Sequence, residues 1–220
     1  KKVITITSAI SSEGKTFCSI NLAVIFSMSG KKTLLMGFDL RKPKIHKIFN
    51  IDNSRGISTC LIGQTTLDEI VQPTQIKNLF IAPSGPVPPN PAELLEKDEM
   101  SKFFERARKE YDYIIIDTPP VAIVTDSIII SRHADINLFI VRQRYTFSST
   151  LEIIDHLYEQ GEMKNMAIII NDISLTGYYG YGLRYGYMSG YGYTYGVAYY
   201  GKSYYRKYGK TDGTKDYYSD

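Results

Sequence analysis

The chain has 220 residues, enough for one domain with an appendage, and carries a formal net charge of +3. Its two cysteines, Cys18 and Cys60, are too few for a disulfide framework and make a reducing cytoplasmic setting the expectation. No apolar run approaches the roughly 20 residues that cross a bilayer and no signal peptide precedes the first strand, so the chain as given is expected to be soluble. It opens without Met and directly into an apolar run, as a piece of something longer would.

Composition divides the chain near Leu175. Before it the sequence is rich in Ile, Leu, Val and Phe; beyond it there is no Ile and no Phe, while 15 of the 19 tyrosines and the excess positive charge lie there. Residues 1–175 are therefore expected to form one folded domain and 176–220 a flexible, disordered Tyr/Gly-rich tail, because a segment with so few aliphatic side chains cannot build a core.

In chain order, β-rich runs are expected at 3–7, 33–39, 78–84, 113–117, 136–141 and 166–171. Their apolar character is nearly continuous, as in strands covered on both faces. Between them lie segments of helical length, the clearest opening at Asn90-Pro91, where Asn caps and Pro takes the first turn, and running to Tyr111. The alternation predicts an α/β fold with a doubly wound, mainly parallel sheet, whose ligands sit beyond the carboxyl ends of the strands.

The first run leads into "SAISSEGKTF". Ala9 to Thr16 match a phosphate-binding loop, with Gly14-Lys15-Thr16 intact and Ala in place of the leading Gly. Backbone N–H groups from Ser11, Ser12, Glu13, Gly14 and Phe17 and the following helix N-terminus would cradle phosphate oxygens. Lys15 would reach the β and γ phosphates of ATP, and the Thr16 hydroxyl would ligate magnesium. "YIIIDTPP" puts Asp117 at the end of an apolar strand, where a carboxylate can hold magnesium through water. An accidental strand-to-helix turn and a solvated strand-end Asp are the bland alternatives to these two readings.

"TLLMGFDLRKPK" places Asp39 and Arg41 just past the second strand. This resembles the second Walker A-like motif of bacterial tyrosine kinases, a hydrophobic run followed by DxDxR. The resemblance runs on through "PSGPVPPNPAELL", "YDYIIIDTPPVAIVTDS", "ADINLFIVR" and the terminal tyrosines, in the family's order. The chain thus resembles the Wzc-like and CapB-like tyrosine autokinases of capsule and exopolysaccharide export. The resemblance implies a P-loop NTPase-type fold, Lys15, Asp39, Arg41 and Asp117 in catalysis, and Thr16, Asp39 and Asp117 around magnesium. One departure is Gly37, which stands where the family has the first Asp of DxDxR and leaves the general base unassigned. Phosphoryl transfer depends mostly on positioning and charge neutralisation, so reduced dependence on a base is expected rather than inactivity. The competing reading is an ATPase assembly switch of the partition and septum-positioning class with an adhesive tail; that class has a Lys five residues before the loop Lys, where this chain has Ile10.

Weaker signals remain open. The resemblance implies that Asn171 and Arg142 lie near the adenine, though either suits an ordinary loop. Asp126 fits a polar network behind the magnesium or a helix N-cap. His46, His133 and His156 lack metal-ligand spacing and read as surface residues, and Arg41, Lys42 and Lys44 read as anion contacts, interface charges or a solvated face.

Read with the site, the tail becomes a substrate. Gly between phenols allows one hydroxyl after another to reach a γ-phosphate, with Tyr191, Tyr193, Tyr195, Tyr199, Tyr200, Tyr204, Tyr205 and Tyr208 the expected acceptors. The resemblance further implies a ring of copies in which each tail enters a neighbour's site, and a membrane polysaccharide co-polymerase region in cis or in trans. It also implies a tyrosine phosphatase partner and a place at the cytoplasmic face of a bacterial inner membrane. The tail lacks the dense Arg of an RNA-binding stretch, so no nucleic acid partner is expected.

Overall fold

The computed structural model describes residues 2–174. Seven strands form one sheet: β1 (Lys2–Ser8), β2 (Thr33–Gly37), β3 (Gln72–Pro73), β4 (Leu79–Ala82), β5 (Tyr113–Asp117), β6 (Ile136–Arg142) and β7 (Met166–Asn171). Their order is β3-β4-β2-β5-β1-β6-β7, and only the two-residue β3 runs antiparallel, against β4. The parallel sheet is as the sequence predicts; β3 was not legible, being too short to carry a periodic pattern.

Alternate residues of the strands feed opposite faces. Leu34, Met36, Ile114 and Ile116 join one buried cluster with Phe103 and Phe104. Leu35, Ile115, Ile4 and Ile6 join another with Ile20 and Ala23. Both faces are thus covered, which explains why the strands read as continuous apolar runs. The second face is covered by α1 (Lys15–Met28), the helix that follows β1. A third, smaller cluster places Phe139 of β6 under Ile154 and Leu157 of the helix Thr150–Glu159.

The helix expected from Asn90 to Tyr111 is interrupted. Residues Pro91–Leu95 form one short helix and Asp98–Glu110 a second, with Lys97 extended between them. Asp98 and Glu99 occupy the first turn of the second helix, where acidic side chains complement the helix dipole and favour a fresh start. Asn90 holds the N-cap position but makes no side-chain cap bond; its amide bonds Glu93 instead. The second helix buries Met100, Phe103, Phe104 and Ala107, and Phe104 stacks on Phe38 at 5.6 Å and on His133 at 4.9 Å. His133 and His46 are therefore half-buried, not at the surface as expected, whereas His156 is exposed.

Candidate active site

β1 and β5 lie side by side, with Ile6 paired to Asp117, so the loop after β1 and the end of β5 open at the same edge. Between β1 and α1 the chain turns through two left-handed residues, Ser12 at φ 67° and Gly14 at φ 100°. The φ of Gly14 favours glycine, and a Cβ there would displace the Asn171 amide, 2.1 Å away, from the Glu13 carbonyl. Lys15 is buried and folds back over the loop, donating to Ser8 Oγ at 2.9 Å and to the Ile10 carbonyl at 3.4 Å. Burial lowers its pKa, opposed by the charges of Asp117, Glu13 and Asp39.

Asp117 is 3% exposed and accepts hydrogen bonds from Thr16 Oγ1 at 2.8 Å and Ser19 Oγ at 3.3 Å. Desolvation pushes its pKa up to about 6; Thr16 and Lys15 work against the shift and Asp39 adds to it. The Thr16 hydroxyl and the Asp39 and Asp117 carboxylates are hard oxygen donors that fit magnesium. Among the described residues no three His, Cys, Asp or Glu side chains could cage a metal. Magnesium takes one or two carboxylates and completes its shell with phosphate and water.

The loop after β2 ties both of its charged motif residues into contacts within the fold. Asp39 Oδ1 accepts the backbone N–H groups of Arg41 at 3.3 Å and Lys42 at 2.9 Å, bracing its own turn. Arg41, itself 40% exposed, forms a two-point pair with the fully buried Asp126, at 2.9 and 3.1 Å. Asp126 is the first residue of the helix Asp126–Ser131 rather than its N-cap, which is Thr125. Gly37 pairs with Asp117 across β2 and β5, and a Cβ there would meet Ser84 Oγ at 2.9 Å. Ser84 donates to the Gly37 carbonyl at 2.6 Å, so a hydroxyl crowds the position where the motif has a carboxylate.

Arg142 and Asn171 end β6 and β7 and are paired across them. Both reach the loop: Arg142 donates to the Ser12 carbonyl at 3.0 Å and Asn171 to the Glu13 carbonyl at 2.9 Å. With Ser12, Gly14, Phe17 and Asp172 they line a cavity of about 440 Å³ beside the loop. Ser12, Gly14, Phe17, Arg142 and Asn171 thus share one cavity, Thr16 is bonded to Asp117, and the charges of Asp117, Glu13 and Asp39 act on Lys15. The tyrosines named above, from Tyr191 to Tyr208, lie outside the described residues. Sequence reasoning missed Ser19 and Thr146. Ser19 carried a signal, one helical turn beyond Thr16; Thr146 carried none, since it meets the loop from far along the chain.

A strand, a glycine-bearing loop closing on a helix, and a strand-end aspartate bonded to the loop threonine define a P-loop NTPase-type domain. A family model described as an AAA domain matches residues 1–170. The tyrosine-protein kinase YwqD of Bacillus subtilis is 36% identical over 184 residues, covering 81% of this chain and 78% of that protein. The tyrosine-protein kinase ptk of Acinetobacter johnsonii is 39% identical over 178 residues, covering 80% of this chain and 24% of that protein. The chain therefore spans about a quarter of the ptk relative's length. The kinase domain of the Escherichia coli tyrosine kinase ETK superposes with a TM-score of 0.75 at 31% identity, covering 81% of this chain and 71% of that one. The chain belongs to the bacterial tyrosine-kinase family. The septum site-determining protein MinD of Pyrococcus horikoshii, with a TM-score of 0.62 at 20% identity over 76% of this chain and 67% of that one, shares the fold alone.

Proposed function

We propose that the protein is an ATP-dependent protein-tyrosine autokinase whose substrate is the C-terminal tyrosine cluster of a neighbouring copy. The observation that carries this reading is the Thr16–Asp117 hydrogen bond, which joins the phosphate loop to a strand-end carboxylate in a chain of this family that ends in clustered tyrosines. In the reaction the phenol oxygen attacks the γ-phosphorus and the bond from that phosphorus to the β,γ-bridging oxygen breaks. ADP leaves with the electron pair, and the phenolic proton passes to a phosphate oxygen or solvent. Magnesium, held by Thr16, Asp117 and Asp39, would supply charge neutralisation at the transferring phosphate. Lys15 adds a second positive charge once it swings from Ser8 to the phosphates.

Gly37 leaves no carboxylate in the first position of the motif, and Ser84 stands close to it. The transfer is accordingly expected to run without a strong base, since proton removal can be late in a loose transition state. Each phosphate adds about −1.5 to −2 charges, which turns a weakly basic tail anionic and favours its release. Relatives named Wzc and CapB support a setting in capsule or exopolysaccharide export. In that setting the protein would work at the cytoplasmic face of a bacterial inner membrane as a ring-like oligomer, with a polysaccharide co-polymerase region and an opposing phosphatase.

The test is intact-mass spectrometry of phosphatase-treated protein incubated with Mg-ATP, beside Lys15→Met. Several phosphate additions on tail tyrosines, absent in Lys15→Met, are the expected result. At saturating Mg-ATP the pH profile of kcat should show no essential group near neutrality, and Gly37→Asp should introduce one. Wild-type protein that binds Mg-ATP yet stays unmodified would sink the kinase reading and leave a nucleotide-dependent assembly switch.

A further inference from the structure

Glu13 lies inside the phosphate loop, yet it is fully buried. Its carboxylate faces two donors: the Ile10 backbone N–H at 2.8 Å, across the loop, and the Thr146 hydroxyl, which follows β6. Thr146 in turn is fastened to Arg142. Its N–H donates to the Arg142 carbonyl at 2.9 Å, and its oxygen accepts the Arg142 N–H at 2.8 Å. Since that oxygen already accepts from Arg142, and a carboxylate only accepts, the hydroxyl proton is directed to Glu13.

The same cluster grips the loop backbone. Arg142 and Asn171 are paired across β6 and β7, and they hold the adjacent carbonyls of Ser12 and Glu13. In a trans peptide the carbonyl and the next N–H point in opposite directions. Drawing the Ser12 and Glu13 carbonyls toward β6 and β7 therefore turns the N–H groups of Glu13 and Gly14 the other way. That is the arrangement a phosphate-binding nest needs.

We propose that Glu13 and Thr146 are positioning residues for phosphate binding: with Arg142 and Asn171 they form a clamp that sets the peptide planes of the loop before nucleotide arrives. Neither side chain need touch the ligand. The clamp rests on the nucleotide reading of the site and adds to it two residues whose effect is on the phosphates and not on the base. A loop already shaped gives up less conformational freedom on binding, so loss of the clamp weakens affinity without removing a direct contact.

Titration calorimetry of the whole chain with Mg-ADP, and separately with adenosine, tests the clamp in wild type, Thr146→Val, Thr146→Ala and Thr146→Ser. Thr146→Val and Thr146→Ala are expected to bind Mg-ADP about ten-fold more weakly, the scale of one charge-assisted hydrogen bond. Their adenosine affinity should be unchanged, and Thr146→Ser should restore Mg-ADP binding. Valine and alanine variants within two-fold of wild type for Mg-ADP overturn the clamp, as does an equal loss for both ligands, which marks a general loosening of the cavity. Wild-type protein that binds no Mg-ADP overturns the nucleotide reading itself, and the clamp with it.

Discussion

Asp117 is held where water cannot solvate its charge, and two hydroxyls with Lys15 offset only part of that cost. Its pKa of about 6 in the fold lies above the ordinary 3.8, so between those values the folded chain binds the proton more tightly than the unfolded one. The sign follows: Asp117's favourable contribution is fully present below about pH 3.8 and is lost as pH rises through about 6. Near neutrality the burden is about 2 to 3 kcal/mol. Asp117→Asn should therefore raise the melting temperature of the nucleotide-free protein by several degrees at pH 7.5. The gain over wild type should shrink as pH falls toward 4.5. The same variant should lose magnesium-dependent ADP binding, and in the wild type kcat/KM for ATP should fall below about pH 6 as the carboxylate takes up its proton. Thermal unfolding of both proteins across that range checks the argument; a constant offset would contradict it.

At the scale of elements, the loop after β2 and the start of the helix Asp126–Ser131 are tied by the two-point Arg41–Asp126 pair. Asp126 is buried while Arg41 is 40% exposed, so the pair is asymmetric: removing the arginine strands a charge, whereas removing the carboxylate frees a group that water can reach. Arg41→Ala should cost about 2 kcal/mol, less than a fully buried pair would lose. Asp126→Asn in the Arg41→Ala background should recover part of that loss, as measured by urea unfolding. Arg41→Lys should recover little, because an ammonium cannot reproduce the guanidinium fork. No recovery in the double variant would mean that the destabilisation comes from the turn after β2 and not from the stranded carboxylate. Since Asp39 braces that same turn, the pair also bears on the placement of the Asp39 carboxylate.

At the scale of the whole molecule, the three buried clusters draw on residues from Val3 to Ile169. A chain ended after Leu175 should accordingly melt within about 2 °C of the full chain, because no described cluster loses a member. It should still bind Mg-ADP and take up no phosphate on incubation with Mg-ATP. Mixed with full-length Lys15→Met, which supplies tyrosines without a working loop, it should phosphorylate that partner in trans. A truncated form that fails to fold would move the domain boundary; one that folds but leaves the partner untouched would count against transfer between copies.

Much of this was legible in the sequence because it is local. Continuous apolar runs marked strands covered on both faces, Gly14-Lys15-Thr16 after a strand marked the loop, and Asp117 closed an apolar run. The scarcity of aliphatic residues is the ground for expecting a separate tail, which lies outside the described residues. What the tertiary structure decided joins residues far apart in the chain: Thr146 to Glu13 across 133 positions, Arg41 to Asp126 across 85, Ser84 to Gly37 across 47. Periodicity and motif spacing report which face a residue takes within its own element. The strand order β4-β2-β5-β1-β6-β7 chooses which strand ends become neighbours, and only that choice brings a threonine after β6 to a glutamate after β1.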